Sequence, residues 1–453
     1  MGIETLTRTT GLVKIPPPIV RRIKPTPFVK KFHYYRTNQV VKSRLAILQV
    51  PDAISSAFNL IARIAVEPIV AHYIQEADFV KDGELSKGKP HDFVTRGSHD
   101  GAMMRLLASS PYLKQAGLDW KEYWAVMQED LDAGRYSQYA AAFVLSLLPN
   151  IKVLGLPKWW MPQAASDKLI ETVICKARKN PTCSSSTGLV QLTNLIGHGC
   201  ADGRFNLDWE SCFLTLPHIR YFGATWCKGG SERRRSSAQK YEALELVCFV
   251  NASIDSIEIA SFLQNTPRLT TFKFWHSAGN IDPTQGWGLC QFVMAIGHHV
   301  GDHLVELSIL LDDDPHTTIS PGRASLGGFK RLETFQLPLE IVSCNLIATA
   351  TATASDVFEL LTRDLIPASV THLSLVSCGT DKEAKALAAI FHDFPAVKAQ
   401  TPSLREIRLT LPAEATGLYG DHFDKVSAEI EMAGVVFREE QRIQAVAWDD
   451  EED

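Results

Sequence analysis

The sequence has no C-x-x-C pair, no G-x-S-x-G elbow and no complete phosphate-binding loop. Its longest apolar run, "AAAFVLSLLP", is about half of what a membrane helix needs, so the expectation is a soluble chain with no membrane partner. Nine cysteines are scattered at 175, 183, 200, 212, 227, 248, 290, 344 and 378. An odd, unpaired set without a signal peptide reads as reduced thiols in the cytoplasm or nucleus, several of them packed as small core residues. Acid is scarce at one end: residues 1–50 hold ten Lys or Arg and a single carboxylate, Glu4. The composition resembles a mitochondrial address, but the five prolines of "KIPPPIVRRIKPTP" oppose the amphipathic helix that such a signal needs, and the expectation is a mobile arm or docking segment. At the other end, Asp449 to Asp453 are all acidic. Over 453 residues the net charge is only −5, and 45% hydrophobic against 21% charged is a globular mix. That balance gives no overall pull towards nucleic acid.

What is present is a spacing. "VTHLSLVSC" puts Val370, Leu373 and Leu375 at offsets of zero, three and five. The same pattern recurs as Ile151, Leu154 and Leu156; Ile219, Phe222 and Ala224; Leu244, Val247 and Phe249; and Leu269, Phe272 and Phe274. It returns as Leu304, Leu307 and Ile309; Leu332, Phe335 and Leu337; and Leu404, Ile407 and Leu409. The starts of the eight copies are separated by 68, 25, 25, 35, 28, 38 and 34 residues, and the long gap predicts a degenerate copy near "LVQLTNLI" (189–196). Several share a lead-in: "LPNI", "LPHI", "TPRL", "TPSL".

A short strand alternates its side chains, so positions four and six of the unit point into one core. Position one tucks under the turn that leads into the strand. Such a unit buries nothing alone; stacked copies bury a continuous core. The segments between carry helical periodicity. "DKEAKALAAIFHDF" predicts a face of Ala384, Leu387, Ala388 and Phe391, and "SDKLIETVICKARKN" one of Ile170, Val173, Ile174 and Ala177. "SDVFELLTRDL" starts at the N-cap residue Ser355. Strand, loop, helix and next parallel strand define the expected fold: an α/β leucine-rich-repeat solenoid, its curved parallel sheet inside and helices outside. A doubly wound α/β domain would need neither the three-then-two spacing nor the Pro-bearing lead-ins.

The expected organisation is a basic, Pro-containing arm (1–50), a mainly helical capping region (51–147), the solenoid (148–438) and an acidic tail (439–453). In the capping region "DWKEYWAVMQEDL" predicts a stripe of Trp120, Trp124, Met127 and Leu131. "AFNLIARIAVEPIVAHYI" predicts two helices parted near Pro68.

The segments "LPNIKVLGLPKWW", "DGRFNLDWESCFLTLPHIRYFGA" and "IGHHVGDHLVELSI", with the repeat order, resemble fungal leucine-rich-repeat proteins related to F-box adaptors. The likeness covers most of residues 50–440. It implies an amino-terminal F-box that docks on Skp1 in a cullin–RING ubiquitin ligase, with the repeats selecting the substrate. "KIPPPIVRRI" (14–23) is similar to an F-box opening, but Lys24-Pro25-Thr26-Pro27 stand where its helices should continue. The arm is therefore expected to hold an F-box that is lost or degenerate. The likeness brings no catalytic residue with it.

Four other motifs carry residues suited to chemistry. "GELSKGKP" (83–90) spaces Gly83, Gly88 and Lys89 like a phosphate loop, but Pro90 replaces the hydroxyl that should hold magnesium, and "EADFVKD" before it makes a poor buried strand. It reads as a solvated loop; the alternative is a nucleotide-dependent regulator or enzyme using it. "GHHVGDH" offers His298, His299, Asp302 and His303, but Gly297 and Gly301 are expected to end the helix and split any zinc set. "LLDDDPH" reads as a charged rim loop. In "CKGGSERRRSSAQKY" (227–241), Arg233 to Arg235 precede Ser236 and Ser237. That segment is a solubilising insertion, a phosphorylation site or a phosphate-contacting patch. The expected protein is non-enzymatic, with no cofactor and no metal.

Its expected partner is another protein, held on the concave strand face by a monomer that works within a larger complex. Eight or nine strands make a wall of roughly 40 Å, ample for the ~800 Å² per partner of a standard interface. Outward positions supply the contacts: Tyr221, Lys273, Trp275, Glu306, Gln336, His372, Glu406 and Arg408. Tyr221 and Trp275 are the aromatic anchors, since buried Trp, Tyr and Arg dominate binding energy. The mixed charge argues against a nucleic-acid groove.

Overall fold

A computed structural model describes residues 56–441, apart from 81, 83–99, 134, 162, 180–187, 200–204, 208–210, 229–239, 278–285, 312–317, 349–363, 379 and 413–419. The arm, the acidic tail, the 83–90 loop, the acids of "LLDDDPH", Ser236, Ser237 and most of "SDVFELLTRDL" lie outside the described residues. The chain forms two compact units, residues 1–226 and 227–453.

Four parallel strands order the first unit: β1 (Glu76–Asp78), β2 (Val153–Gly155), β3 (Asn194–His198) and β4 (Tyr221–Thr225). Seven order the second: β5 (Leu246–Ala252), β6 (Thr271–His276), β7 (Glu306–Leu311), β8 (Thr334–Pro338), β9 (His372–Val376), β10 (Glu406–Leu411) and β11 (Val436–Gln441). Within each unit each of these strands pairs with the next of them in sequence, an order that a doubly wound sheet does not have.

The helices between strands bring the chain back to begin the next one. α1 (Ala57–Val66) and α2 (Val70–Tyr73) precede β1, and Ser56 caps α1 by accepting from the Asn59 amide. Four helices separate β1 from β2: α3 (Asp100–Ala108), α4 (Pro111–Gln115), α5 (Trp120–Asp132) and α6 (Gln138–Leu145). α7 (Ala164–Lys179) follows β2, α8 (Ser256–Leu263) follows β5 and α9 (Leu289–Val300) follows β6. Later connections carry α10 (Glu340–Ala348), α11 (Asp381–Ile390), α12 (Phe394–Gln400) and α13 (Gly420–Met432).

All eight predicted repeats begin two residues before a strand, and the degenerate copy is Leu192, which precedes β3. Position one is sealed in every case: Ile151, Ile219, Leu244, Leu269, Leu304, Leu332, Val370 and Leu404 have no solvent exposure. The lead-ins are turns closed onto position one. Ile219 N–H donates to Leu216 O, Leu269 N–H to Thr266 O and Leu404 N–H to Thr401 O. Pro217, Pro267 and Pro402 sit at the second residue of these turns, where a fixed φ near −65° is favourable.

Position two links each coil to the next. Its carbonyl accepts two consecutive amides of the following copy: Glu245 O from Thr270 and Thr271, Thr270 O from Val305 and Glu306, and Val305 O from Glu333 and Thr334. Glu333 O and Thr371 O continue the series, and Gln75, Lys152 and Thr193 repeat it in the first unit. Position four then aligns in register as Val247, Phe272, Leu307, Phe335, Leu373, Ile407 and Phe437.

The inner strand residues pack on the helices. Phe249 meets Phe262 of α8 edge-on at 5.7 Å, and Phe274 meets Phe292 of α9 at 4.5 Å. His276 joins this cluster, stacked on Trp287 at 3.9 Å between ring centroids. A bulge between Phe249 and Ala252, with Asn251 left-handed at φ 53°, sets Ala252 opposite His276.

Four sequence expectations are corrected. "EADFVKD" does contain a buried strand, β1, because Ile74, Ala77 and Phe79 reproduce the spacing with a small middle residue. α5 buries Tyr123, Met127 and Asp130, while the two tryptophans on it are half-exposed, since the Tyr123 hydroxyl reaches Tyr139 O in the neighbouring helix. Of the face predicted for α11, Leu387 and Phe391 are buried, but Ala384 and Ala388 are only half-buried. Glu383, Ala386 and Ile390 are buried instead, because Glu383 turns inward to bind the preceding loop. Gly297 lies inside α9, and only Gly301 ends it.

The His276 ring has no solvent exposure, and the Ala252 backbone beside it is too poorly placed to satisfy either nitrogen. Burial drives its pKa from 6.5 down to about 4. The folded state thus keeps the ring neutral while the unfolded chain takes up a proton, so this site loses stability as pH falls from 6.5 to 4. His276→Phe should match the wild type at pH 7 and exceed it by about 2 kcal/mol at pH 5, read from denaturant midpoints.

Candidate functional site

Alternation along β6 to β11 turns every second side chain away from the core, and the register arranges these residues in rows. One row runs Thr271, Glu306, Thr334, His372, Glu406; the next runs Lys273, Ser308, Gln336, Ser374, Arg408, Arg438. Seven of the eight sequence-predicted contact residues therefore share one strand face of the second unit. Tyr221 occupies the equivalent first strand position in β4 of the first unit.

The charges on this face are largely spent on each other. Lys273 Nζ lies 2.7 Å from Glu306, and Ser308 Oγ donates to Gln336 at 2.5 Å. Glu406 is the hub of a second group. Arg408 Nε contacts it at 2.7 Å, Arg438 Nε at 3.4 Å and His372 Nε2 at 4.0 Å. Arg408 also reaches Glu440 at 3.4 Å. The Arg408 hydrogen bond, helped by the charges of Arg408, Arg438 and His372, holds the Glu406 carboxyl below its usual range. The face is a fixed mosaic of paired charge.

Trp275 neighbours Leu310 across β6 and β7, half-buried, and its indole N–H is shielded without a partner. A buried donor left unmade is costly, so this ring is neither a satisfied core residue nor a freely solvated one. Trp160 is in the core, edge-on to Phe213 at 5.8 Å, whereas Trp159 is exposed.

Sequence reading missed a cavity of about 490 Å³ in the first unit, lined by Lys152, Gln191, Thr193, Asn194, His218 and Arg220. It opens beside the beginnings of β2 to β4. The lining holds two permanent cations, an imidazole, two amides and a hydroxyl, with no carboxylate. Thr193 Oγ1 donates towards Lys152 O and Asn194 Oδ1, fixing the floor. Such a lining suits an acidic group. The signal was available, since Lys152 and Arg220 hold the second position of two copies.

His298 and His299 are adjacent on α9, with rings edge-on at 4.9 Å, and among the described residues they join no three-ligand cluster. Among the described residues, no helix is long and apolar enough to cross a membrane. No protein-family model matches the sequence, and no curated protein matches it.

Glu406→Gln removes the hub carboxylate, so Arg438 and His372 lose it as a partner and Arg408 keeps only Glu440. Because these pairs are solvent-screened, stability should fall by less than about 1 kcal/mol. Mobility on ion-exchange columns should nevertheless shift measurably. A larger loss in thermal melts would mean that the mosaic helps hold β9 to β11 together.

Proposed function

We propose that the chain is a leucine-rich-repeat binding scaffold that holds another protein on its strand face. We further read it as the substrate-selecting subunit of a Skp1–cullin–F-box type of ubiquitin ligase. In this reading α1 to α6 cap the first coil, because an array must cover the core at its open end. The observation that carries it is the row arrangement: contiguous outward residues on sequential parallel strands, with no nucleophile–base pair among them.

Six strand spacings across the second unit span about 29 Å, enough for a standard interface. On the second unit's face binding energy would come from Trp275, while the paired charges supply register and exclude wrong partners. Tyr221 would be the aromatic contact of the first unit's own strand face. In this scheme Trp275 presents its ring to the partner, and a small rotation frees its indole N–H for a partner carbonyl. The cationic cavity beside β2 to β4 favours a partner with an acidic segment.

Trp275→Ala and Tyr221→Ala should each weaken partner capture about tenfold or more, with little change in melting temperature. A large drop in melting temperature would show that the rings are core. Affinity capture with the intact chain should recover Skp1, and deletion of residues 1–50 should abolish it. Capture of a partner without Skp1 from the intact chain would leave a stand-alone interaction protein.

A further inference from the structure

Just past the carboxyl ends of β8 and β9, two neighbouring loops converge with α11. Glu340 lies two residues beyond β8 and Cys378 two residues beyond β9, so the two are equivalent positions on adjacent strands. Glu383 enters from the first turn of α11. A carboxylate oxygen of each glutamate and the Cys378 sulfur lie within 4.8 Å of one another. Loops at the carboxyl ends of parallel strands are where such sheets place ligands.

Glu383 is almost completely buried and firmly held. Its Oε2 accepts from Ser377 Oγ at 3.0 Å and from the Thr380 amide at 2.8 Å, and both oxygens accept from the Cys378 amide at 3.1 Å. Glu340 is held much less well. Its Oε2 is shielded from solvent and has no hydrogen-bond partner. One turn along the same face of α10, Ser343 Oγ is shielded and unpartnered too. Among the described residues, neither glutamate has a Lys, Arg or His in contact. Two carboxylates brought together out of water need a compensating positive charge. The Glu340 side chain hydrogen-bonds with the Cys378 thiol, the Glu383 carboxyl and its own backbone, and the first two are potential ligands.

We propose that Glu340, Cys378 and Glu383 form a three-ligand site for a zinc-type divalent cation, fastening the first turn of α10 to the loop after β9 and the first turn of α11. A thiolate selects a borderline-soft ion, and three ligands are too few for calcium, which takes six to eight oxygens. Tetrahedral coordination leaves one position for water or for a donor from a bound partner. A thiolate, not a thiol, ligates such an ion, so binding releases the Cys378 proton. The site does not depend on the scaffold reading.

The test uses the full chain, stripped with chelator and titrated with zinc against a chromophoric competitor. Cobalt provides a second readout through its thiolate charge-transfer band. One tight equivalent is expected, with that band and a higher melting temperature. Cys378→Ser should abolish the band. Glu340→Gln, an isosteric change, should weaken binding about 100-fold while melting in chelator no lower than the wild type. The proposal is overturned if the wild type binds no stoichiometric zinc. It is equally overturned if zinc affinity and the band survive Cys378→Ser, which would place the ion on other thiols. It also fails if Glu340→Gln stabilises the chain while zinc leaves the wild-type melting temperature unchanged, for then the site holds only a proton.

Discussion

One backbone carbonyl per coil governs this architecture. At position two of each unit it receives two consecutive amides from the following copy, so the strands can start in only one register. Once that is fixed, the other spacings follow. Position one, held back by a turn, points beneath the sheet, and positions four and six alternate inward. Three then two is the interval from the turn residue to the two core-facing residues. Side-chain hydroxyls reinforce the link, since Thr193, Thr270 and Thr371 donate to the same carbonyls that their own amides address.

That constraint explains which parts were legible in the sequence. Eight copies were visible because Leu, Ile, Val or Phe fill nearly all their inward positions, and a strand begins two residues after each start. Ile74, Ala77 and Phe79 obey the same geometry but place alanine in the middle, so β1 hid within an apparent polar loop. β11 hid for a related reason: Phe437 aligns with Ile407, but Glu439 stands where Leu409 does in β10. Helix faces were legible only to within a residue or two. A buried glutamate on α11 and a buried aspartate on α5 defeat any rule that equates burial with apolarity. Both face inward because polar partners reach them: Ser377 and the loop amides for Glu383, Arg135 for Asp130.

The strand face was predictable as a list of positions but not as an electrostatic object. Alternation alone identifies Lys273, Glu306, Glu406 and Arg408 as outward. Their pairing depends on which strands are neighbours and on residues that had not been singled out, such as Arg438 and Glu440. The cavity lined by Lys152, His218 and Arg220 and the Glu340–Cys378–Glu383 cluster escaped for the same reason. Each gathers residues from separate coils, and no short motif contains either set.

The β11 strand has one described neighbour, β10, and its far side carries a row of backbone donors and acceptors. Bare margins of this kind invite another chain to zip on and begin an aggregate. Here the ribbon reads Val436-Phe437-Arg438-Glu439-Glu440-Gln441, with three charges in succession and two of them already tethered to β10 by ion pairs. A foreign strand laid alongside would have to strip water from those charges while gaining little apolar cover. Among the described residues β11 is the final strand, and the charges that hid it from recognition as a repeat also make its edge a poor template for another strand.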